Sequence, residues 1–234
     1  MVLTASSLHS DPAAACQNPA TQLKVVRCFL FFRKCYKITL SLSRMDKPFL
    51  IIITGPPGAG KTILGKQLSR DLMLPFICKD DIKEILFDTL GWGSRQQSME
   101  LGQTSFEILF HFLERLLERG KSAIVETAFI PKYHNARFLT LQDNYRFESI
   151  QILCHTDENE LYERFIRRAQ SSDRHPGHVD HLLTYDQFVR QLHERKYDAL
   201  ALDGALLRID MRDFNEMSYK EIVERINSLG INRT

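Results

Sequence analysis

From Gly55 to Thr62 the chain reads Gly-Pro-Pro-Gly-Ala-Gly-Lys-Thr, a glycine-rich stretch that fits the G-x-x-x-x-G-K-[ST] spacing. The residue types suit the binding of an anion. Glycines at 55, 58 and 60 let backbone N–H groups converge on a charge with no Cβ in the way. A helix starting near Gly60 adds its positive end to the same spot. Lys61 has the length to reach the outer phosphates of a nucleotide, and the Thr62 hydroxyl suits Mg²⁺. Gly55, Pro56, Pro57, Gly58, Ala59, Gly60, Lys61 and Thr62 are therefore the expected phosphate-binding residues. A loop of chance composition is the bland alternative. Its place between a β-branched run and an amphipathic pattern argues against that.

Two acidic positions follow apolar runs. Lys79-Asp80-Asp81 comes after Leu74–Cys78. Asp81 sits where a helix N-cap is expected, which leaves Asp80 free to point into a cleft and take a proton from a hydroxyl. The competing reading makes both carboxylates caps or solvated turn residues. Lys83, one turn on, is either an anion contact or an exposed lysine. Glu126 closes Ala123-Ile124-Val125-Glu126-Thr127. An acid at such a strand end can hold Mg²⁺ through water, touch substrate or the glycine-rich loop, or be structural only.

Basic residues come later. Arg164, Arg167 and Arg168 share one stretch, and Arg164 and Arg168, four apart, share a helix face. They can neutralise charge on a transferring group, or form a solvated face paired with Glu160 and Glu163. Arg174 lies in the polar loop that follows. His175, His178 and His181 have no cysteine partner, and Pro176-Gly177 makes their segment a turn, so contact with substrate or solvent is expected rather than a metal site. Phe214 packs either near an adenine ring or in the core.

The elements that must position these residues are legible from periodicity. Phe49–Thr54 reads as a strand buried on both faces. Helical spacing follows over 61–71, 81–90, 97–118, 135–143, 157–170, 185–198 and 219–229. Short strands are expected at 74–78, 122–127, 147–155 and 205–211. Alternation of this kind implies an α/β fold of three layers, with about five parallel strands flanked by helices. Ligands in such sheets bind beyond the carboxyl ends of the strands. The segment 171–185 is expected to be a short lid.

Residues 1–44 read differently. They carry six basic residues against Asp11, a net +5, so the remainder of a chain of net +2 carries −3. That mild acidity argues against a long phosphate-rich polymer as partner. The apolar run from Cys28 to Phe32 is too short to span a bilayer, so no stable membrane insertion is expected. A disordered extension or an unused upstream start fits 1–44, with the domain proper at 45–234. The five cysteines show no paired spacing; buried free thiols at Cys78 and Cys154 and a reducing cytoplasmic compartment are expected.

Taken in order, Gly55–Thr62, Lys79-Asp80-Asp81, Val125-Glu126-Thr127 and Arg164…Arg168 resemble the P-loop kinases of the polynucleotide-kinase and zeta-toxin-like group, many of them described as AAA-family ATP-binding proteins. The resemblance covers about Lys47 to Leu229. It implies the P-loop NTPase fold, ATP and Mg²⁺ as cofactors, and phosphoryl transfer to a hydroxyl. It also implies Asp80 as general base and Arg168, then Arg164, as phosphoryl contacts beside Lys61. Thr62 and Glu126 are the implied metal residues, although the group often carries Asp where Glu126 stands. A small-molecule acceptor is expected. Alternatives are a polynucleotide 5′-hydroxyl, a cell-wall nucleotide sugar as in a toxin kinase, or a nucleotide-binding switch that transfers nothing.

Overall fold

The computed structural model describes residues 47–172, 174–180 and 183–230. The expectations for residues 1–44 lie outside the described residues. Five strands form the sheet: β1 (Phe49–Thr54), β2 (Phe76–Cys78), β3 (Ala123–Glu126), β4 (Glu148–His155) and β5 (Gly204–Asp210). Their order is β2-β3-β1-β4-β5, and every pairing is parallel. Among the described residues seven α-helices flank the sheet: α1 (Lys61–Leu72), α2 (Lys79–Leu90), α3 (Arg95–Glu118), α4 (Pro131–Tyr145), α5 (Glu158–Ala169), α6 (Tyr185–Arg195) and α7 (Glu216–Ser228).

β1 shows why a continuous apolar run marks a central strand. Ile51 and Ile53 face one core with Leu64 and Leu68 of α1, Phe165 of α5, Phe188 of α6 and Ile222 and Ile226 of α7. Leu50 and Ile52 face a second core with Leu109 and Leu113 of α3 and Phe138 of α4. Successive side chains alternate faces, so a strand covered on both sides must be apolar throughout. The result is the three-layer α/β arrangement that the alternation implied. β1 has β3 on one side and β4 on the other, and the crevice at its carboxyl end is where ligands bind in such sheets. Cys78 and Cys154 are buried free thiols. Among the described residues no helix is long and apolar enough to cross a membrane.

One boundary differs in a way that matters. α2 begins at Lys79, not Asp81, and Cys78 occupies the N-cap position without a side-chain cap. β2 has only three residues and passes straight into the helix. Asp80 and Asp81 therefore both lie in the first turn, where the helix dipole favours carboxylates. Asp81 is exposed and caps nothing. α4 also begins early, because Pro131 is pre-set for the first helical position.

Candidate functional site

The glycine-rich loop leaves β1 and is held from below. Thr54 Oγ1 accepts from Phe129 N at 3.0 Å and donates to Phe129 O at 3.3 Å, which ties the end of β1 to the segment after β3. Gly55 has φ +138°, and a Cβ there would lie 2.2 Å from the Cys154 carbonyl oxygen of β4. Gly58 has φ +86°, and its Cβ would lie 2.4 Å from the Leu161 carbonyl oxygen of α5. Only glycine fits either place. The N-terminus of α1 has no side-chain cap and no acid in its first turn, so its N–H groups and dipole remain open to an anion. Lys61 is buried and its Nζ donates to the Pro56 carbonyl at 2.8 Å. Burial lowers its pKa, with Glu126 the largest opposing influence.

Glu126 joins three elements. Its Oε2 accepts from Thr62 Oγ1 of α1 at 2.9 Å and from Cys78 Sγ of β2 at 3.1 Å. Burial, reinforced by the Glu126 charge, keeps the Cys78 thiol far above its usual range, so it stays an S–H donor. Glu126 is 4% exposed, and burial raises its pKa against the pull of Lys61. A hydroxyl and a carboxylate on adjacent elements are hard oxygen donors, and a cation beside them would relieve the buried charge. The pair therefore fits Mg²⁺.

Asp80 stands one strand further along the sheet. Its Oδ2 accepts from Arg174 Nη1 at 2.9 Å, and Lys79 Nζ lies 3.6 Å from Oδ1. Burial pushes the carboxyl up, but Lys79 and then Arg174 outweigh it and hold the group well below the usual carboxylate range. Arg174 also donates to Asp180 Oδ2 from Nε at 2.8 Å and Nη2 at 2.7 Å. Arg168 Nη2 lies 3.9 Å from the same oxygen, and its buried Nε has no partner among the described residues. Arg164 is turned elsewhere: its Nε donates to Glu160 at 2.6 Å and its Nη2 to the Arg212 carbonyl at 3.5 Å. Phe214 packs against the core.

The histidines differ from expectation. His175 stacks on Phe87 of α2 with ring centroids 4.9 Å apart, and His178 meets the same ring edge-on at 5.2 Å. They serve as packing for the turn 175–178 rather than as solvent-facing groups, because an aromatic ring on α2 gives them a place to bury. His181 lies outside the described residues. Burial pushes the His178 pKa down to about 2, opposed by Asp80 and aided by Arg174, Lys83 and Lys79. The neutral ring donates from Nε2 to Glu84 Oε1 at 2.8 Å.

That neutrality has a sign. The folded pKa lies below the ordinary 6.5, so between the two values the unfolded chain binds the extra proton. Stability from this group is present above about pH 6.5 and is lost as pH falls below it. From about pH 7.5 to about pH 5.5 the expected loss is about 1.4 kcal/mol. Glu84, raised by burial, acts in the opposite sense. Urea unfolding at both pH values should show the loss in the wild-type chain and a smaller one in His178→Gln. An equal loss in the variant would assign it to other groups.

Arg174 as the partner of Asp80 and Cys78 as a donor to Glu126 carry no local sequence signal. Asp180, six residues after Arg174, is the nearest to one.

A family model described as an AAA domain matches residues 50–192, more than half of the chain. The chain belongs to the AAA-domain family. This AAA-domain protein is 33% identical to a candidate kinase of Chloroflexus aurantiacus, over 78% of this chain and 98% of that one, with a TM-score of 0.69. Kti12 of Chaetomium thermophilum, solved in complex with ADP-AlF3, matches at 17% identity over 76% of this chain and 97% of its own, with a TM-score of 0.54. The sheet and helices of the AAA-domain protein are those of the P-loop kinase fold.

Proposed function

We propose that this AAA-domain protein is an ATP-dependent kinase that transfers the γ-phosphoryl group to a hydroxyl of a small molecule. The reading is carried by one juxtaposition. The adjacent strands β1, β3 and β2 end at the phosphate loop with Thr62, at Glu126 and at Asp80, so that phosphate-binding, metal-holding and proton-accepting groups share one edge of the sheet. The kinase relative at 33% identity supports the same class.

Thr62 and Glu126 would hold Mg²⁺, which would offset the negative charge of the nucleotide phosphates. Lys61 exchanges the Pro56 carbonyl for phosphate oxygens. Asp80 takes the proton from the acceptor hydroxyl as its oxygen bonds to the γ-phosphorus and the bond to the β-phosphate oxygen breaks, leaving ADP. The Nε of Arg168, without a partner among the described residues, would donate to the transferring group. Arg164, already committed to Glu160, is the weaker of the two arginine candidates. The catalytic unit is 45–234, and segment 171–185 closes over it to exclude water. Buried free thiols fit a cytoplasmic setting.

The test is ADP release from Mg·ATP by the full chain, alone and with pooled nucleosides, sugars, sugar acids, aminoglycosides and 5′-hydroxyl oligonucleotides. Strong stimulation by one small-molecule pool is expected. Stimulation by oligonucleotides alone, falling steeply with salt, would replace the acceptor class with nucleic-acid ends. Slow hydrolysis unmoved by every pool would count for a switch and against transfer.

A further inference from the structure

Helices α2 and α3 lie side by side next to Asp80, and their shared face carries one charge, Lys83, that the proposed transfer does not use. Lys79 and Lys83 are one turn apart on α2, and Ser98 and Gly102 are one turn apart on α3. Lys83 Nζ donates to Ser98 Oγ at 2.9 Å. A Cβ built at Gly102 would have Lys83 Nζ at 3.7 Å and Lys79 Nζ at 3.8 Å. Two ammonium groups thus converge on one point, above a residue with no side chain to fill it.

Lys83 is 8% exposed and has no carboxylate within salt-bridge distance among the described residues. Its Nζ lies 5.0 Å from the Phe87 ring centroid, and Lys79 Nζ lies 5.5 Å from that of Phe106. Burial, and after it the Lys79 charge, pull the Lys83 pKa down to about 8 against the opposing influence of Asp80 and Asp180. An ammonium buried beside a second cation is costly, and a core-facing methionine would fill the same space without that cost. Lys79 already has the Asp80 carboxylate at 3.6 Å, and an oxyanion between the two lysines gives Lys83 a counter-charge of its own.

We propose that Lys79, Lys83 and Ser98 form a subsite for a negatively charged group of the acceptor, a carboxylate or a phosphate, which presents the acceptor hydroxyl to Asp80. The assignment rests on the kinase reading for the word acceptor, while the anion site stands on its own geometry. The acceptor class is then a hydroxy acid or a phosphorylated alcohol rather than a neutral sugar.

Binding tests it without turnover. The full chain is saturated with Mg²⁺ and a non-hydrolysable ATP analogue, so that the phosphate loop is filled. Glycerate, glycerol 3-phosphate, inorganic phosphate and glycerol are then titrated by calorimetry. At least one oxyanion should bind at least tenfold more tightly than glycerol, and glycerate against glycerol 3-phosphate separates carboxylate from phosphate. Lys83→Met should weaken that binding at least tenfold. Gly102→Ala should do the same, because its methyl group takes the point where the two lysines converge. Alanine at a helical position is a stabilising exchange, so misfolding would not account for the loss. No oxyanion bound more tightly than glycerol, or binding unchanged in both variants, overturns the subsite. Oxyanion binding that obeys the variants without any phosphoryl transfer would keep the subsite and reject the kinase reading.

Discussion

Asp80→Asn is expected to lower the rate of phosphoryl transfer by about 10²- to 10⁴-fold while leaving ATP affinity unchanged. Asparagine keeps the size of the side chain and an oxygen for Arg174, and it loses the capacity to take a proton. Arg174 keeps its two hydrogen bonds to Asp180, so the fold should hold. Lys79 and Arg174 keep Asp80 ionised throughout the neutral range, so the base form is always present. Its basicity is low, which favours a proton transfer that comes late, once the acceptor oxygen is already bonding to phosphorus. Single-turnover transfer and an ATP titration on the same variant separate the two effects. A rate within about threefold of wild type would remove Asp80 from the chemistry and favour a nucleotide switch.

Gly55→Ala should be among the most damaging additions of a single methyl group to the described residues. The residue sits at φ +138°, where an L-residue is strained by about 1–3 kcal/mol. Its Cβ would also lie 2.2 Å from the Cys154 carbonyl of β4, a backbone atom in a strand paired with β1 as far as Leu153 and with β5 as far as His155. That carbonyl has no side-chain freedom with which to yield, and overpacking of this kind costs about 1–3 kcal/mol more. Together these are a large part of the roughly 5–15 kcal/mol of a typical domain. Urea unfolding should show the midpoint falling sharply, with nucleotide binding lost or greatly weakened in what remains folded. A variant as stable as wild type would mean that β1 and β4 can separate at the loop, contrary to the buried packing around Ile53 and Cys154.

The parts of this molecule that the sequence exposed are the local ones. Ile51-Ile52-Ile53 declares a central strand because both of its faces are covered, and the glycine spacing declares the loop because Gly55 and Gly58 occupy places that only glycine fits. The start of α2 was misleading for a physical reason: Asp80-Asp81 looks like a cap followed by a helix, but a three-residue strand leaves no room for a separate cap. The histidine turn was opaque because its partner, Phe87, is about ninety residues away in sequence. The same separation hides the Asp80–Arg174 pair. Glu126 was legible as an acid at a strand end. Its two donors, Thr62 and Cys78, come from different elements and appear only when the strands are side by side.

The Arg174 guanidinium, shared between Asp80 and Asp180, bears on idle turnover. A carboxylate already neutralised by a seated cation has little pull on the proton of a stray water molecule. On the kinase reading, hydrolysis of a bound nucleotide in the absence of acceptor would thereby be discouraged by the contact that an arriving acceptor meets first. An acceptor that displaced this salt link to reach Asp80 would, on the same reading, show an apparent affinity below that of the open site. Economy in the use of nucleotide and weak ground-state binding of the acceptor would then share a single origin, one arginine clasped between two aspartates.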